Sequence, residues 1–95
     1  MGSRVEWKHK DLGHLPRGSV VRVNIVKGHG PNIRLFDSSN YQSFASGRTA
    51  NGIQVRAKLR QVDIPVPRDA RWHLVVDFIG LVGQAEFNYV VLPAA

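Results

Sequence analysis

Apolar and polar residues alternate along much of this chain, which is the period of strands that bury one face and expose the other. In the clearest example, Val21, Val23 and Ile25 alternate with Arg22 and Asn24. The same alternation, weakest in the first segment, predicts strands over six stretches: residues 5–10, 21–25, 32–37, 53–60, 72–78 and 86–91. Proline at 65 and 67 interrupts the apolar run 62–66, which predicts an edge strand or an extended crossover there.

Turn-forming residues separate these runs, namely Pro16-Arg17-Gly18, Gly28-His29-Gly30-Pro31 and Asn51-Gly52. Only residues 38–46 suit a helix, of two turns at most, with Ser38 or Ser39 as its N-cap. We therefore predict an all-β fold: a small antiparallel β-sandwich or barrel of six to seven strands with one short helix near residues 38–46. Residues 1–95 are expected to form a single β-rich domain.

The composition limits the classes of protein that this chain can be. With no cysteine it has neither a disulfide nor a thiolate metal site, which suits a reducing cytoplasm. No segment approaches the roughly 18 apolar residues of a membrane span, and no apolar run follows the basic N-terminus as in a secretory signal. We expect a soluble, cytoplasmic protein that makes no membrane contact.

Thirteen Lys and Arg against seven Asp and Glu give a net charge of +6, which favours anionic partners. In the predicted strand 53–60, apolar residues on one parity alternate with Gln54, Arg56, Lys58 and Arg60 on the other. This pattern predicts an apolar face toward the core and a cationic stripe toward water. A solvated outer face is one interpretation, and a surface that binds nucleic acid or another polyanion is the alternative. The candidate polyanion-binding residues are Arg22, Arg34, Arg48, Arg56, Lys58 and Arg60.

Specific polar side chains are concentrated at Asp37-Ser38-Ser39-Asn40, directly after the predicted strand 32–37. Carboxylate, hydroxyl and amide oxygens at adjacent positions can converge on a small polar ligand. The alternative is structural: Asp37 or Ser38 caps the short helix, while Tyr41 and Phe44 enter the core. We retain Asp37, Ser38, Ser39 and Asn40 as candidate ligand-binding residues.

His73 and Asp77 are further candidate ligand-binding residues, since they share one face of the strand 72–78. Four residues of strand rise separate them by roughly 13 Å, which forbids a direct charge pair or a shared metal. Each needs a partner from another strand, and Asp37 and Arg34 have suitable chemistry. The four histidines lack metal-binding spacing, so we predict no metal and no cofactor.

Several segments resemble a known family in order and spacing: Gly18-x-Val20-Val21, Ile33-Arg34-Leu35-x-Asp37-Ser38-Ser39-Asn40-x-x-x-Phe44-x-x-Gly47, Ile64-x-x-Pro67 and Trp72-His73-x-Val75-Val76-Asp77. Together they resemble the bacterial Domain of Unknown Function 1883 family over nearly the whole chain. The resemblance implies a small, mostly β domain, found alone or fused to Toll/interleukin-receptor-like domains, which would suit a sensing or accessory role. The family is richer in tyrosine after Gly47, where this chain reads Arg48-Thr49-Ala50-Asn51, and that difference weakens a ligand role for this loop.

No signature of catalysis is present: the chain has no Gly-x-Ser-x-Gly elbow and no phosphate-binding Gly-x-x-x-x-Gly-Lys loop. We expect a non-enzymatic module that binds a protein or a small polar ligand through the 37–47 loop and the face around His73. Nucleic-acid or polyanion binding is the alternative. Homo-oligomerisation through Pro65, Pro67 and the apolar residues 90–95 is a third.

Overall fold

Seven strands and one short helix make up the described part of the chain in our computed structural model, which covers residues 7–28 and 30–94. In chain order the elements are β1 (Trp7–Leu15), β2 (Val20–Lys27), β3 (Asn32–Asp37), α1 (Ser38–Ala45), β4 (Ile53–Arg56), β5 (Gln61–Pro65), β6 (Ala70–Asp77) and β7 (Glu86–Leu92). Residues 5 and 6 of the predicted first strand and His29 of the predicted turn lie outside the described residues.

The strands form two antiparallel sheets that enclose one core. A four-stranded sheet has the order β1-β6-β3-β4, and a three-stranded sheet has the order β5-β2-β7. The predicted mostly β fold of six to seven strands with one short helix is confirmed, in the form of two sheets. The apolar run with the prolines contains the strand β5, which ends at Pro65, so that Pro67 lies beyond it. Among the described residues β5 pairs with β2 alone and is thus an edge strand.

The core is built from the inward parity of both sheets. Val21 and Val23 of β2 and Ile33 and Leu35 of β3 are completely buried, as their alternation predicts. In β6 the alternation is lost, because all residues from Trp72 to Asp77 are buried. This strand lies between β1 and β3, and α1 packs against it. His73 and Asp77 on its outer face are therefore covered as well, with 7% and 3% of their surface exposed.

The prediction of one continuous strand over 53–60 is wrong. β4 ends at Arg56, and the chain then crosses from the four-stranded sheet to the three-stranded one. Along the crossing, Ala57 N–H donates to the Pro31 carbonyl at 2.9 Å, and the Arg60 carbonyl accepts from Ile25 N–H at 2.7 Å. Ala57 is buried, but Leu59 remains 76% exposed, so the apolar parity does not form a continuous inner face.

β1 is longer than the predicted first strand, since it continues past residue 10 to Leu15. Its pairing with β6 shifts by one position between Asp11 and Gly13. Gly13 has a φ of 73°, and its N–H donates to the Asp11 side chain at 2.9 Å. Such a bulge absorbs one extra residue, so pairing resumes beyond it.

Candidate functional site

The candidate loop begins where β3 turns directly into α1. Asp37 has extended backbone angles, and its Oδ1 accepts the backbone N–H of Asn40 at 2.9 Å and the side-chain amide of Asn40 at 3.0 Å. Asp37 is therefore the N-cap, as the structural alternative for this loop predicted, and the prediction of Ser38 or Ser39 in that role is wrong. A carboxylate is favoured at this position because it satisfies free N–H groups at the positive end of the helix dipole.

The second oxygen of Asp37 accepts a hydrogen bond from Arg68, which forms an ion pair with it. Burial by itself raises the pKa of Asp37. The hydrogen bonds from Asn40 and Arg68 together outweigh that effect and hold the pKa below its ordinary value. Asn40 in turn accepts the backbone N–H of Asn51 at 2.9 Å through its own Oδ1. This polar group thus holds the end of the segment before β4 to the first turn of α1.

Ser38 belongs to a second set of contacts, centred on His73. The Ser38 hydroxyl lies 2.8 Å from Nε2 of His73, and Nδ1 of His73 lies 2.8 Å from Nε2 of His9. A neutral His73 that accepts the serine proton at Nε2 donates its Nδ1–H to His9. Three elements, β1, β6 and α1, are thereby joined through one buried imidazole.

Aromatic rings cover this chain of hydrogen bonds from the helix side. The Tyr41 ring stacks on His9 at a centroid distance of 4.0 Å and on His73 at 4.9 Å. Trp7 donates its indole N–H to the Tyr41 hydroxyl at 3.4 Å and meets the edge of Phe44 at 4.9 Å. We call Trp7, His9, Ser38, Tyr41, Phe44 and His73 the α1 cluster. Tyr41 and Phe44 thus attach the helix to the outer face of the four-stranded sheet, and the expectation that they enter the core is wrong.

The surroundings of His73 favour its neutral form. Burial lowers the pKa of His73 first of all; His9 and Arg71 lower it further, while Asp11 and Asp37 oppose the shift. A serine bonded to a neutral histidine, itself oriented by a third group, is an arrangement that nucleophilic enzymes also use. In this chain the same contacts join β1, β6 and α1.

Asp77 forms a separate polar centre, four residues along β6 from His73. We call it the Asp77 centre. Its carboxylate accepts Arg34 Nε at 2.6 Å, the Asn32 side-chain amide at 3.0 Å and the backbone N–H of Ile79 at 2.9 Å. Burial raises the pKa of Asp77, but these donors outweigh burial and the pKa is lowered. The expectation that His73 and Asp77 do not touch is confirmed, and Arg34 is the partner of Asp77 as suggested. Asp37, the other suggested partner, pairs with Arg68, while His73 contacts His9 and Ser38.

The six candidate polyanion-binding cations do not form one surface. Arg22 pairs with Asp63 on the outer face of the three-stranded sheet, and Arg34 pairs with Asp77 on the outer face of the four-stranded sheet. These two faces lie on opposite sides of the core. Arg48 is exposed just after α1. The remaining three candidates follow one another on the crossing from β4 to β5: Arg56 ends β4, and Lys58 and Arg60 come after it.

The crossing from β4 to β5 borders a cavity of about 260 Å³. The cavity is lined by Ile25, Gly28, Ala57, Lys58, Leu59 and Arg60. Arg60 is anchored across it, since its Nη1 donates to the carbonyl of Ile25 at 3.3 Å and to that of Val26 at 3.4 Å. Leu59 and Val26 project into solvent, with 76% and 53% of their surface exposed. We call Val26, Lys27, Arg56, Lys58, Leu59 and Arg60 the basic end. Glu86, in register with Lys27, is the acidic residue beside it.

One comparison with known proteins is informative. The family model described as "Domain of unknown function (DUF1883)" matches residues 5–95. The chain belongs to this family. The DUF1883 match includes the α1 cluster, the Asp77 centre and the basic end. No curated protein and no solved structure matches the chain.

No group of three or more His, Asp or Glu in residues 7–28 and 30–94 is placed to hold a metal ion. Within the same residues, no helix is both long and apolar enough to cross a membrane.

Sequence reasoning missed several residues of these sites. His9 and Tyr41 complete the α1 cluster, and Val26 and Leu59 give the basic end its apolar character. His9 lies on the same parity as Trp7, which was a signal of a shared face. Its pairing with His73 depends on β1 lying beside β6, and no local pattern contains that information.

Proposed function

We propose that this domain is a non-enzymatic binding module of the cytoplasm, and that its basic end recognises an acidic segment of a partner protein that also carries apolar side chains. The observation that carries the proposal is the cavity between Lys58 and Arg60, where an apolar floor, a projecting Leu59 and a basic rim coincide. Exposed apolar side chains surrounded by charge are typical of interaction surfaces.

The size of the cavity favours one side chain of a partner. Its volume of about 260 Å³ is below the roughly 300–1,000 Å³ of small-molecule sites. Ile25 and Ala57 supply an apolar floor, so a leucine or phenylalanine of the partner loses contact with water there. Carboxylates on either side of that residue then meet Lys58 and Arg56.

The side chains of the basic end favour a protein segment over nucleic acid. Sheet proteins that bind single-stranded nucleic acid stack the bases on exposed aromatic rings. The projecting side chains of the basic end are aliphatic, Val26 and Leu59. The α1 cluster is a weaker candidate surface, because its polar atoms bond to one another and its aromatic rings pack together.

The test uses fluorescence anisotropy with three labelled probes at low and at moderate salt. The probes are a synthetic peptide of alternating Glu and Leu, an equally acidic peptide of Glu and Ser, and a single-stranded oligothymidine. We expect the Glu/Leu peptide to bind most tightly. Lys58→Gln and Leu59→Ala should each weaken it at least several-fold, while Lys10→Gln, the same charge loss on β1, should leave it unchanged.

Two results would contradict the proposal. If oligothymidine binds best and its affinity falls steeply with salt, the basic end is a polyanion site. If Lys58→Gln and Lys10→Gln behave alike, binding does not occur at the basic end.

A further inference from the structure

Each sheet of a sandwich has two edge strands, and an exposed edge invites pairing with another chain unless something blocks it. Three of the four edges here are blocked. β1 has Lys10 and a bulge at Gly13, and β4 has only four residues and ends in Arg56. β5 has Asp63 and ends in Pro65, which lacks an N–H.

The fourth edge, β7, has none of these protections. Its seven residues, Glu86 to Leu92, contain no proline, and the one charged residue is at the first position. β2 pairs with one side of it, and among the described residues no strand pairs with the other side. A long and largely apolar edge of this kind is a template for strand addition.

The aromatic side chains on the inner side of β7 are also incompletely buried. Tyr89 is in register with Val23, and Phe87 with Ile25, so both aromatic residues face the inner side of the sheet. Val23 is completely buried, yet Tyr89 is 37% exposed and Phe87 is only half-buried. A neighbouring strand at this edge would cover both rings.

We propose that β7 pairs antiparallel with β7 of a second copy of this chain, about a two-fold axis near Tyr89, so that two three-stranded sheets become one six-stranded sheet. In this register Tyr89 faces Tyr89, and Asn88 faces Val90. Residues that face each other across the two copies have the same parity in this register. Core-facing residues of one copy therefore lie beside core-facing residues of the other.

The charge distribution favours a second copy as the occupant. The chain has a net charge of +6, but none of its 13 Lys and Arg lies in β7. Two copies therefore meet with least repulsion along this strand. Glu86 is opposite Leu92 in the paired register, and it lies beside Lys27 of its own sheet. The interface is isologous, as expected for a two-fold dimer.

The experiment measures mass by sedimentation from low to high micromolar protein, for the full chain and two variants. Val90→Lys places a cation on the β7 edge. Val26→Lys makes the same change at a valine of similar exposure on the central strand β2, with 53% against 44% exposed. We expect wild type and Val26→Lys to dimerise with increasing concentration and Val90→Lys to remain monomeric with an unchanged far-UV circular dichroism spectrum.

A monomer at every concentration of wild type would overturn the proposal, as would a dimer that persists in Val90→Lys or is equally lost in Val26→Lys. Hydrogen exchange supplies a second measurement. Amides of residues 86–92 should become more protected at high concentration in wild type and in Val26→Lys, but not in Val90→Lys. This inference is independent of the proposed function, since monomeric Val90→Lys should still bind the Glu/Leu peptide at the basic end.

Discussion

The Nε2 atom of His9 lies 2.8 Å from Nδ1 of His73, although the two residues are 64 positions apart in the chain. The contact joins the edge strand β1 to the central strand β6, and Tyr41 covers both rings. A direct bond between two imidazoles requires at least one of them to be neutral. The attachment of β1 and α1 to the sheet is therefore sensitive to protonation.

Stability should fall as the pH falls below the ordinary histidine range, and His73 should be a main cause. Burial, with help from His9 and Arg71 against Asp11 and Asp37, lowers the pKa of His73 below 6.5. The unfolded chain then binds more protons than the folded one, so stability is complete above about pH 6.5 and decreases as the pH falls through the folded pKa.

The measurement is the thermal midpoint between about pH 7 and pH 5. His73→Gln, which keeps hydrogen-bonding capacity toward Ser38 and His9, should have a lower midpoint at pH 7 but a flatter pH dependence. His14→Gln removes an exposed histidine from β1 and is the control. An unchanged slope in His73→Gln would show that other groups cause the pH dependence.

Loss of the Asp77 carboxylate should be among the most damaging single changes. Its side chain is completely buried, and it holds the guanidinium of Arg34, which is 16% exposed. Asp77→Ala leaves that cation and the Asn32 amide without their acceptor. The free energy of unfolding, measured in urea, should therefore fall by about 3–5 kcal/mol. Asp63→Ala breaks the solvated pair with Arg22 and should shift the midpoint far less. If both variants lose the same free energy of unfolding, burial does not determine how much each ion pair stabilises the fold.

Period-two alternation was enough to predict β2, β3 and β7, because in each the residues that face the core are apolar or aromatic. The pattern could not reveal that β6 has both faces covered, since that depends on which elements surround it. It also continued past Arg56, although the backbone leaves the sheet there. An apolar residue such as Leu59 fits the parity of a buried face even where it projects into solvent.

The candidate sites were predictable only in part, for the same reason. Asp37 and Ser38 are adjacent in sequence, yet one caps the helix and the other bonds to β6. Arg34 was identified as a partner from its charge alone. His9 was not, because a histidine side chain can bond to many kinds of partner and its neighbour is set by strand order.

Asp37 should stabilise the protein mainly as a helix cap. Asp37→Ala removes the acceptor of the Asn40 N–H and should cost about 1 kcal/mol in urea unfolding. Asp37→Asn keeps a capping oxygen but loses the ion pair with exposed Arg68, so its loss should be clearly smaller. If both variants lose the same amount, the pair with Arg68 matters more than the cap.

Gly28 should tolerate substitution much less than Gly47, although both have positive φ angles, 75° and 77°. A Cβ atom at Gly28 would lie 2.2 Å from the backbone oxygen of Gln84, whereas at Gly47 nothing lies within 4 Å. Gly47→Ala therefore reports the cost of the left-handed conformation alone, about 1–2 kcal/mol. Gly28→Ala adds a backbone clash that the loop before β7 must move to relieve.

Urea unfolding should show a distinctly larger loss of stability for Gly28→Ala than for Gly47→Ala. Gly28→Ala should also bind the Glu/Leu peptide more weakly, because Gly28 lines the cavity of the basic end. Equal losses in the two variants would show that this loop adapts without cost.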